Sequence, residues 1–388
     1  MSATPAGPST PSTSSTPSTG ELPTSVLLAG GGSAGHVSPL LALADCLRRR
    51  NPDMAVTALG TEQGLETRLV PGRGYELRTI PKVPLPRRPS ADLARLPANL
   101  RSAVAAAGRA IDETGAEVVV GFGGYVSTPA YLAARRRGVP IVVHEQNARA
   151  GIANRLGSRF TRYVATTFAS TALRGAQVVG MPLRREIALL DRQAHRTEGL
   201  ERFGLDPQWP TLLVTGGSLG AQRLNTAFQA RVDELRSAGI QVLHITGLGK
   251  EFEPVSEVAG PPYVVAAFAD RMDLAYAAAD LVVARAGANT VCELTAVGLP
   301  AVYVPLPIGN GEQRFNAVDV VAAGGGLLVA DSAVTPEWID RELIPLLGEG
   351  ARLQAMAQAA ASVGERGGDE KLADMVCAAY AESRRGTR

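Results

Sequence analysis

The chain has 388 residues, of which 45% are hydrophobic and 5% aromatic, and its formal net charge is +2. This length and apolar content exclude general disorder and predict two or three domains with sizeable cores. The three cysteines, Cys46, Cys292 and Cys377, are far apart and odd in number, which argues against a disulfide framework and a structural zinc site.

Charge is divided unevenly along the chain. Residues 24–183 hold 20 Lys and Arg against 10 Asp and Glu, whereas residues 184–388 hold 19 against 26. A basic half joined to an acidic half predicts that the basic half meets an anionic partner. Nucleic acid, a phosphorylated ligand and an anionic membrane surface are all candidates.

The first 23 residues are mainly Ser, Thr and Pro, so we expect a disordered tail. The tail has neither the basic start nor the apolar stretch of a signal peptide. Because no run of about 20 apolar residues occurs in the chain, no transmembrane span is predicted.

From Ser25 onward, short apolar runs alternate with longer amphipathic segments. In the first half, strands are predicted at SVLLAG, AVTALG, EVVVGFGG and VPIVVHEQN, and helices at PLLALADCLRRR and STPAYLAARRRG. Near Pro210 the order restarts with TLLVTGGSLGAQRLN, and QVLHITG, YVVAAFA, DLVVARAG, PAVYVPLP and GLLVA follow as strands. Val-, Ile- and Leu-rich runs that end in Gly are typical of buried parallel strands.

We therefore predict an α/β fold with two similar doubly wound domains. The N-terminal domain is placed at residues 24–183, the C-terminal domain at 184–365 and a C-terminal helix at 366–388, with the linker near residues 181–192. Ligands of such sheets bind beyond the carboxyl ends of the strands, so two domains whose Gly-rich ends face each other predict a cleft.

Two Gly-rich turns stand at matching positions in the two halves. Residues 30–36, GGGSAGH, and residues 216–221, GGSLGA, each follow a strand and precede a helix, where backbone N–H groups can approach a phosphate. The first turn also satisfies the dinucleotide pattern, but an acid should then end the second strand, and Glu62 comes late. An oxidoreductase therefore remains a weaker alternative, as does a purely structural role for either turn.

Four further motifs also end strands or begin helices: GFGGYVS, HEQN, RAGANTVCE and GNGEQRFN. RAGANTVCE can hold a diphosphate on its N–H groups, and Glu293 can accept the hydroxyls of a ribose. The alternative for Arg285 is a structural ion pair. The chain has no Asp-x-Asp pair, so we expect helix N-termini and an Arg, rather than an essential metal or another cofactor, to neutralise a diphosphate.

Together, GGGSAGHVSP, GFGGYVS, HEQN, GGSLGAQRLN, RAGANTVCE, GLPAVYVPLP and EQRFNA closely resemble, in order and spacing, the MurG family of peripheral N-acetylglucosaminyltransferases of bacterial peptidoglycan synthesis. The resemblance covers about residues 24–365. It implies a GT-B fold, with two Rossmann-like domains facing each other across a cleft and a C-terminal helix that crosses back to the first domain.

The resemblance also implies the reaction, which is inverting transfer of GlcNAc from UDP-GlcNAc to the C4 hydroxyl of the muramyl sugar of lipid I, giving lipid II. The expected location is the cytoplasmic face of the cell membrane, with contacts to other proteins of cell-wall synthesis and division. Other GT-B transferases, a UDP-sugar epimerase and a catalytically silent nucleotide-binding protein are the alternatives.

The resemblance further implies which residues bind the substrate. They are Ser33, Ala34, Gly35, Asn147, Arg184, Ser218, Ala269, Gly287, Ala288, Asn289, Thr290, Val291, Cys292, Glu293 and Gln313. Asn147 and Gln313 are expected at the donor sugar, Ser218 at the diphosphate and the Ala269 backbone at uracil. Met181 departs from the Asn of the family, and Glu312 replaces a Gln found in some members.

His36 is our candidate general base, because the start of a helix disfavours an imidazolium and a neutral imidazole suits proton abstraction. Glu145 and Glu312 are alternative bases, and His36 could instead hydrogen-bond a phosphate or cap the helix. Tyr125 either orients the acceptor or only packs.

Residues 78–101 interleave cations with apolar side chains, among them Ile80, Val83 and Leu100. We predict that Lys82, Arg87, Arg88, Leu85, Leu93 and Leu96 face an anionic membrane surface. The alternative is a solvated loop followed by an amphipathic helix. Because the segment lacks stacking aromatics, no nucleic-acid partner is expected.

Overall fold

The structure is a computed structural model, and it describes residues 22–32, 34–83, 91–217, 220–307 and 311–386. The side chains of residues 34 and 91–95 are not part of that description. The expected tail up to residue 21, and the predicted site residues Ser33, Ser218, Leu85, Arg87 and Arg88, therefore lie outside the described residues, as do the side chains of Ala34 and Leu93.

Within the described ranges, the strands form two parallel sheets, one of seven strands and one of six. The first sheet has the order β3-β2-β1-β4-β5-β6-β7 and the second the order β10-β9-β8-β11-β12-β13. The strands are β1 Ser25–Ala29, β2 Ala55–Gly60, β3 Glu76–Thr79, β4 Val118–Gly121, β5 Ile141–Glu145, β6 Val164–Thr166, β7 Ala176–Val178, β8 Thr211–Thr215, β9 Gln241–Ile245, β10 Tyr263–Ala266, β11 Leu281–Ala284, β12 Ala301–Tyr303 and β13 Gly326–Leu328.

Helices cover both faces of each sheet. In chain order they are α1 Ala34–Arg50, α2 Glu66–Gly72, α3 Ala91–Thr114, α4 Gly124–Arg137, α5 Ile152–Gly157, α6 Arg185–Ala188, α7 Arg196–Phe203, α8 Gln222–Gln229, α9 Val232–Ser237, α10 Met272–Ala278, α11 Ala288–Ala296, α12 Glu312–Asn316, α13 Val318–Ala322, α14 Pro336–Trp338, α15 Ile344–Gly348, α16 Gly350–Ser362 and α17 Gly368–Gly386. A 3-10 turn at Asp331–Ala333 and a π-helical turn at Ile339–Leu343 complete the set.

The central strands are buried on both faces, which explains their continuous apolar sequences. In β1, Val26 and Leu28 pack into one cluster while Leu27 and Ala29 pack into the cluster on the opposite face. This alternation is the two-residue period of a strand covered on both sides by helices. All ten predicted strands are present, and the two doubly wound sheets are confirmed.

The sequence pattern missed three strands, namely β3, β6 and β7. Strand β3 has the sequence ELRT and β7 has AQV, and both lie at an edge of the first sheet, where polar residues reach solvent. Strand β6 has only three residues. Edge position and short length remove the apolar run by which the other strands were found.

The chain passes between the two sheets around residue 181. Met181, Leu183 and Ile187 already pack into the core of the second half. At the other end of the chain, Leu372 and Val376 of α17 pack into a core cluster of the first half. The exact domain boundaries stay a prediction. No helix in the described part of the chain is long and apolar enough to cross a membrane.

The structure corrects our interpretation of residues 78–101 at two apolar positions. Ile80 and Val83 are buried, at 2% and 6% exposure, in the core cluster that also holds residues of β1 and α4. They therefore contribute nothing to a surface patch. Leu96 and Leu100 are half-buried and pack against the same cluster, while Lys82 is exposed. The membrane-facing role of Lys82 and Leu96 stays a prediction.

Candidate active site

The carboxyl ends of the central strands bring the motifs of the two halves together. In the first half, the turns after β1, β4 and β5 carry GGGSAGH, GFGGYVS and HEQN. In the second half, the turn after β11 leads directly into α11. Direct contacts join the halves here, since the amide of Asn316 donates to Asn147 Oδ1 at 3.4 Å and accepts the N–H of Ala148 at 2.9 Å.

A buried carboxylate holds the first Gly-rich turn in place. Glu66, which is fully buried, accepts hydrogen bonds from the Gly32 N–H at 2.9 Å and from the N–H and hydroxyl of Thr61 at 2.8 and 2.9 Å. Burial alone would raise the pKa of Glu66, but these donors outweigh burial and lower it. Glu66 is therefore ionised at neutral pH, directly beneath the turn.

His36 lies half-buried in the first turns of α1, with its imidazole against Gly123 and Gly124. Burial lowers the pKa of His36 to about 4, and the negative charge of Glu66 opposes this shift. The imidazole is therefore neutral at pH 7, as a general base requires. Its neighbour in the predicted site, Gly35, is exposed in the same turn of the helix.

Glu145, one of the alternative bases, is engaged in holding a loop. It is 3% exposed and accepts hydrogen bonds from the backbone N–H groups of Asn147 and Gly151 at 3.0 and 2.9 Å and from the Asn154 amide at 3.0 Å. The oxygen of that amide accepts the hydroxyl of buried Tyr131 at 2.8 Å. Burial raises the pKa of Glu145, and these donors work against the rise. These three donors favour a structural role for Glu145.

His144 connects the same strand end to the passage between the halves. Burial lowers the pKa of His144 to about 4, so it is neutral at pH 7. Its Nε2 lies 3.0 Å from the carbonyl oxygen of Gly180, and its Nδ1 lies 3.0 Å from the Gln146 amide. A neutral ring satisfies both contacts when Nε2–H donates to Gly180 and Nδ1 accepts from Gln146.

In the second half, helix α11 begins at the cleft with Gly287 in the capping position. The N–H groups of its first turn, at Ala288, Asn289 and Thr290, lie at the positive end of the helix dipole. Val291 and Cys292 follow on the buried side of the helix. This arrangement can hold an anionic group such as a phosphate.

Glu293, one turn into α11, is held between two side chains. Arg184 Nη2 lies 3.4 Å from Oε1, and the hydroxyl of Tyr276 donates to Oε2 at 2.8 Å. Tyr276 is 2% exposed, so Glu293 has a fixed position at the edge of the cleft. A fixed carboxylate can accept hydrogen bonds from the paired hydroxyls of a ribose.

Arg285 forms a structural ion pair, which was the alternative considered for it. Its Nη1 lies 2.6 Å from Asp331 Oδ1 and 3.2 Å from the carbonyl oxygen of Val304, and its side chain is 10% exposed. Since Asp331 and Val304 already engage the guanidinium, Arg184 is the better candidate for the cation of the site.

Other predicted residues also lie at strand ends or on α12. Ala269 is buried just beyond β10, beside Phe268, whose side chain is 57% exposed. On α12, the side-chain oxygen of Gln313 accepts the Leu306 N–H at 2.9 Å. This bond fixes the orientation of the Gln313 amide, so the group that faces away from Leu306 is the NH₂ donor. Tyr125 is 42% exposed at the start of α4, and the Lys82 ammonium lies 5.5 Å from the centre of its ring.

Metal ligands do not gather at the cleft within the described residues. The described residues contain one group of three potential metal ligands, formed by Cys46 of α1 and by Asp369 and Glu370 of α17. The guanidinium of Arg49 lies 2.8 Å from Asp369 and that of Arg50 lies 2.8 Å from Glu370, so both carboxylates already have a cation beside them. All three cysteines are free thiols.

Three residues of the site were given no role by the sequence, namely Glu66, Tyr276 and Asn316. Glu66 follows the second strand by several positions, close to where an acid was sought, but its bonding to the first turn has no signature in the sequence. Tyr276 lies in an apolar helical run, where an aromatic residue indicates core packing. Asn316 is part of the EQRFN motif, and its partners are far away along the chain.

Two Rossmann-like sheets facing across this cleft define the GT-B class of glycosyltransferases, and comparison with known proteins confirms the class. The profile of the glycosyltransferase family 28 N-terminal domain matches residues 26–166, and that of the family 28 C-terminal domain matches residues 211–372. The solved structure of MurG from Acinetobacter baumannii superposes with a TM-score of 0.73 at 29% identity, covering 91% of this chain and 99% of that one.

Curated relatives are more similar still. One from Streptomyces coelicolor is 57% identical over 357 residues, which are 92% of this chain and 98% of the relative. One from Nocardioides sp. is 57% identical over 353 residues, covering 90% and 97%. Both are named UDP-N-acetylglucosamine–N-acetylmuramyl-(pentapeptide) pyrophosphoryl-undecaprenol N-acetylglucosamine transferase. The chain belongs to glycosyltransferase family 28 and, within it, to the MurG family.

Proposed function

We propose that this enzyme transfers GlcNAc from UDP-GlcNAc to the C4 hydroxyl of MurNAc in undecaprenyl-pyrophosphoryl-MurNAc-pentapeptide, lipid I, and so forms lipid II. One observation carries the proposal: the HEQN motif of the first half and the EQRFN motif of the second are hydrogen-bonded to each other at the cleft, in a chain 57% identical to relatives named for this reaction. The reaction proceeds with inversion, because a single displacement forms no covalent sugar intermediate.

In this proposal the second half binds the donor. The ribose hydroxyls bond to Glu293, which Arg184 and Tyr276 hold in place, and the diphosphate lies at the start of α11. The N–H groups at the helix start stabilise the negative charge that develops on the leaving UDP. Ser218, Gln313 and the backbone at Ala269 complete the donor site.

The first half supplies the base and the acceptor side. His36 is neutral at pH 7 and lies at the Gly-rich turn, so it removes the proton from the attacking hydroxyl. The negative charge of Glu66 raises the pKa of His36 and so stabilises the imidazolium that forms when His36 takes up the proton. Tyr125 orients the acceptor, and Asn147 contacts the donor sugar from across the cleft.

The lipid acceptor requires contact with the membrane, which we assign to the basic first half. Exposed Lys82 lies beside Tyr125 at the cleft, so the membrane-facing surface adjoins the acceptor side of the site. We propose that Lys82, Arg87 and Arg88 bind anionic headgroups at the cytoplasmic face, with Leu85, Leu93 and Leu96 beside them.

The transfer itself is tested with labelled UDP-GlcNAc, a lipid I analogue and excess EDTA. Label in a disaccharide lipid, with one UDP released per transfer, is the expected result. Transfer that needs added Mg²⁺ would retain the activity and overturn the account of diphosphate stabilisation. Conversion of UDP-GlcNAc alone to an epimer, without transfer, would overturn the proposed reaction. NMR of the new linkage checks inversion, and an α product would contradict it.

Membrane binding is tested by sedimentation with anionic vesicles. Reversal of charge at Arg87 and Arg88 is expected to weaken binding to vesicles that contain phosphatidylglycerol, while binding to neutral vesicles is unaffected. Charge reversal at Glu253, an exposed residue of the second half, is the matched control. Equal binding by wild type and the double Arg variant would count against the assignment.

A further inference from the structure

The clearest contact between the two halves is formed by one buried amide, that of Asn316. This residue ends α12, the helix of the second half that carries Gln313, and it is 1% exposed. Its oxygen accepts the Ala148 N–H at 2.9 Å, and its NH₂ group donates to the carbonyl oxygen of Ala286 at 3.2 Å and to Asn147 Oδ1 at 3.4 Å. Every polar atom of the side chain is therefore used.

These partners fix which end of the Asn316 amide is oxygen and which is nitrogen. The N–H of Ala148 can only donate, so it must face the oxygen, and the carbonyl of Ala286 can only accept, so it must face the NH₂ group. With both ends determined, the group that Asn316 offers to Asn147 is a donor. The Asn147 side chain must therefore meet it with its oxygen.

A second constraint on Asn147 agrees with the first. Its backbone N–H donates to Glu145 at 3.0 Å, and its carbonyl oxygen accepts the Thr171 hydroxyl at 3.1 Å, so the backbone is fixed. Its side-chain NH₂ lies on the Glu145 side, 3.5 Å from Oε1. An NH₂ group has two hydrogens, and Glu145 can take only one of them.

We propose that Asn316 is a positioning residue which orients the Asn147 amide so that it presents a hydrogen-bond donor, rather than an acceptor, to an oxygen of the bound sugar. This role rests on the proposed function, since it assumes that Asn147 contacts the donor sugar. It makes contact between the halves a condition for sugar recognition, because the orienting residue lies in one half and the contacting residue in the other.

Substitution of Asn316 distinguishes orientation from packing, because only the orienting role confines the loss of affinity to the ligand that carries the sugar. In Asn316→Asp the NH₂ group becomes a carboxylate oxygen, which repels Asn147 Oδ1 and turns the Asn147 amide around. In Asn316→Ala the amide is only released. A carboxylate here also faces the carbonyl oxygen of Ala286, so if Asn316 only supports the fold, both variants lower the affinities for UDP and UDP-GlcNAc together. If it orients Asn147, the loss is confined to UDP-GlcNAc and is larger in the Asp variant.

Titration calorimetry measures the affinities for UDP-GlcNAc and for UDP. Their ratio reports the contribution of the sugar to binding, because the two ligands differ only in the GlcNAc group. We expect Asn316→Ala to lower the ratio about threefold and Asn316→Asp to lower it about tenfold, as far as Asn147→Ala does. UDP affinity should stay within twofold of wild type in each variant. Phe315→Leu, which removes the ring stacked 3.8 Å from the Arg149 guanidinium at the same contact, is the matched control.

An Asp variant closer to wild type than the Ala variant would overturn the proposal. Loss of UDP affinity as well would also overturn it, because the residue would then support the fold as a whole. A wild-type protein that binds UDP-GlcNAc no better than UDP would contradict the sugar contact of the proposed function.

The hydrogen bond between Asn316 and Asn147 is tested separately by urea unfolding. The losses in free energy of unfolding caused by Asn147→Ala and Asn316→Ala should sum to more than the loss in the double variant. Strictly additive losses would contradict a bond between the two side chains.

Discussion

The two Gly-rich turns of this enzyme stand at matching places, one after β1 and the other after β8, but they are held by different groups. In the first half the N–H of Gly32 donates to the carboxylate of Glu66 at 2.9 Å, while in the second half the N–H of Gly217 donates to the hydroxyl of Thr215 at 3.2 Å. One turn therefore has a buried negative charge beneath it, and the other has a neutral hydroxyl at the corresponding bond.

This difference matches the chemistry proposed for each half. The first turn adjoins His36, which must take up a proton, and a nearby negative charge stabilises the imidazolium. The second turn adjoins the leaving diphosphate, which a carboxylate would repel. Repeated units of strand, turn and helix can thus take different roles through the polarity of one supporting residue.

The largest expected effect comes from removing the base beside the first turn. His36→Ala should lower kcat by a factor on the order of 10²–10⁴ with little change in the donor KM, because proton abstraction is lost while donor binding in the second half is kept. Steady-state kinetics with a lipid I analogue measures both constants. A rate within tenfold of wild type would remove His36 from the role.

Exchanging the charge beneath the first turn is expected to be the next largest change. Glu66→Gln should lower kcat roughly 10- to 100-fold, because the negative charge that stabilises the imidazolium of His36 is lost. Since the charge of Glu66 raises the pKa of His36, its removal lowers that pKa, and the acid limb of the profile of kcat/KM against pH moves to lower pH.

The matched change in the second half is Thr215→Val, which removes the hydroxyl that holds Gly217. It should raise the donor KM and leave the acid limb where it is. An acid limb that moves in the Thr215 variant, or stays in place in the Glu66 variant, would show that the two supports do not differ in the way proposed.

A smaller effect is expected from Tyr276→Phe, which removes the hydroxyl donated to Glu293. The donor KM should rise roughly threefold to tenfold with kcat nearly unchanged. The carboxylate of Glu293 loses one of its two supports, which weakens donor binding equally in the ground state and in the transition state. Tyr263→Phe, in the same half but away from Glu293, provides the comparison. A fall in kcat without a change in KM would contradict a role in donor binding.

The last expected effect is on stability in acid rather than on activity, and it compares one buried histidine from each half. Burial lowers the pKa of His144 to about 4 and that of His244 to about 3, against an ordinary value of 6.5. The unfolded chain therefore takes up these protons first, and the free energy of unfolding falls as the pH drops from 6.5 toward 4.

Each histidine can contribute at most one proton to this slope, which is about 1.4 kcal/mol per pH unit. His144→Gln and His244→Gln should each flatten the decline of Tm between pH 6.5 and 4.5. A decline that only one of the two variants flattens would show that one half alone governs acid unfolding.

The sequence predicted the two sheets well, because strands buried on both faces have continuous apolar runs that end in Gly. It also led us to expect Glu293 and Asn147 in the site, since their motifs resemble a known family, and their substrate contacts stay a prediction. It did not predict the supports of these residues. Asn316 meets Ala148 across 168 positions of chain, and such partners become visible only when two halves are brought together.

The packing around Glu66 has a consequence for how the sequence can vary. A Cβ added at Gly31, Gly60 or Gly64 would overlap the Glu66 side chain, so each of these glycines shapes the space that the carboxylate occupies. An alanine at any of these glycines displaces the carboxylate, so it is expected to have the same effect as a substitution of Glu66 itself. The four positions should consequently vary as one unit. In a library of variants, an added methyl at Gly31 should be tolerated better beside a shortened acid, as in Glu66→Asp, than beside Glu66 itself.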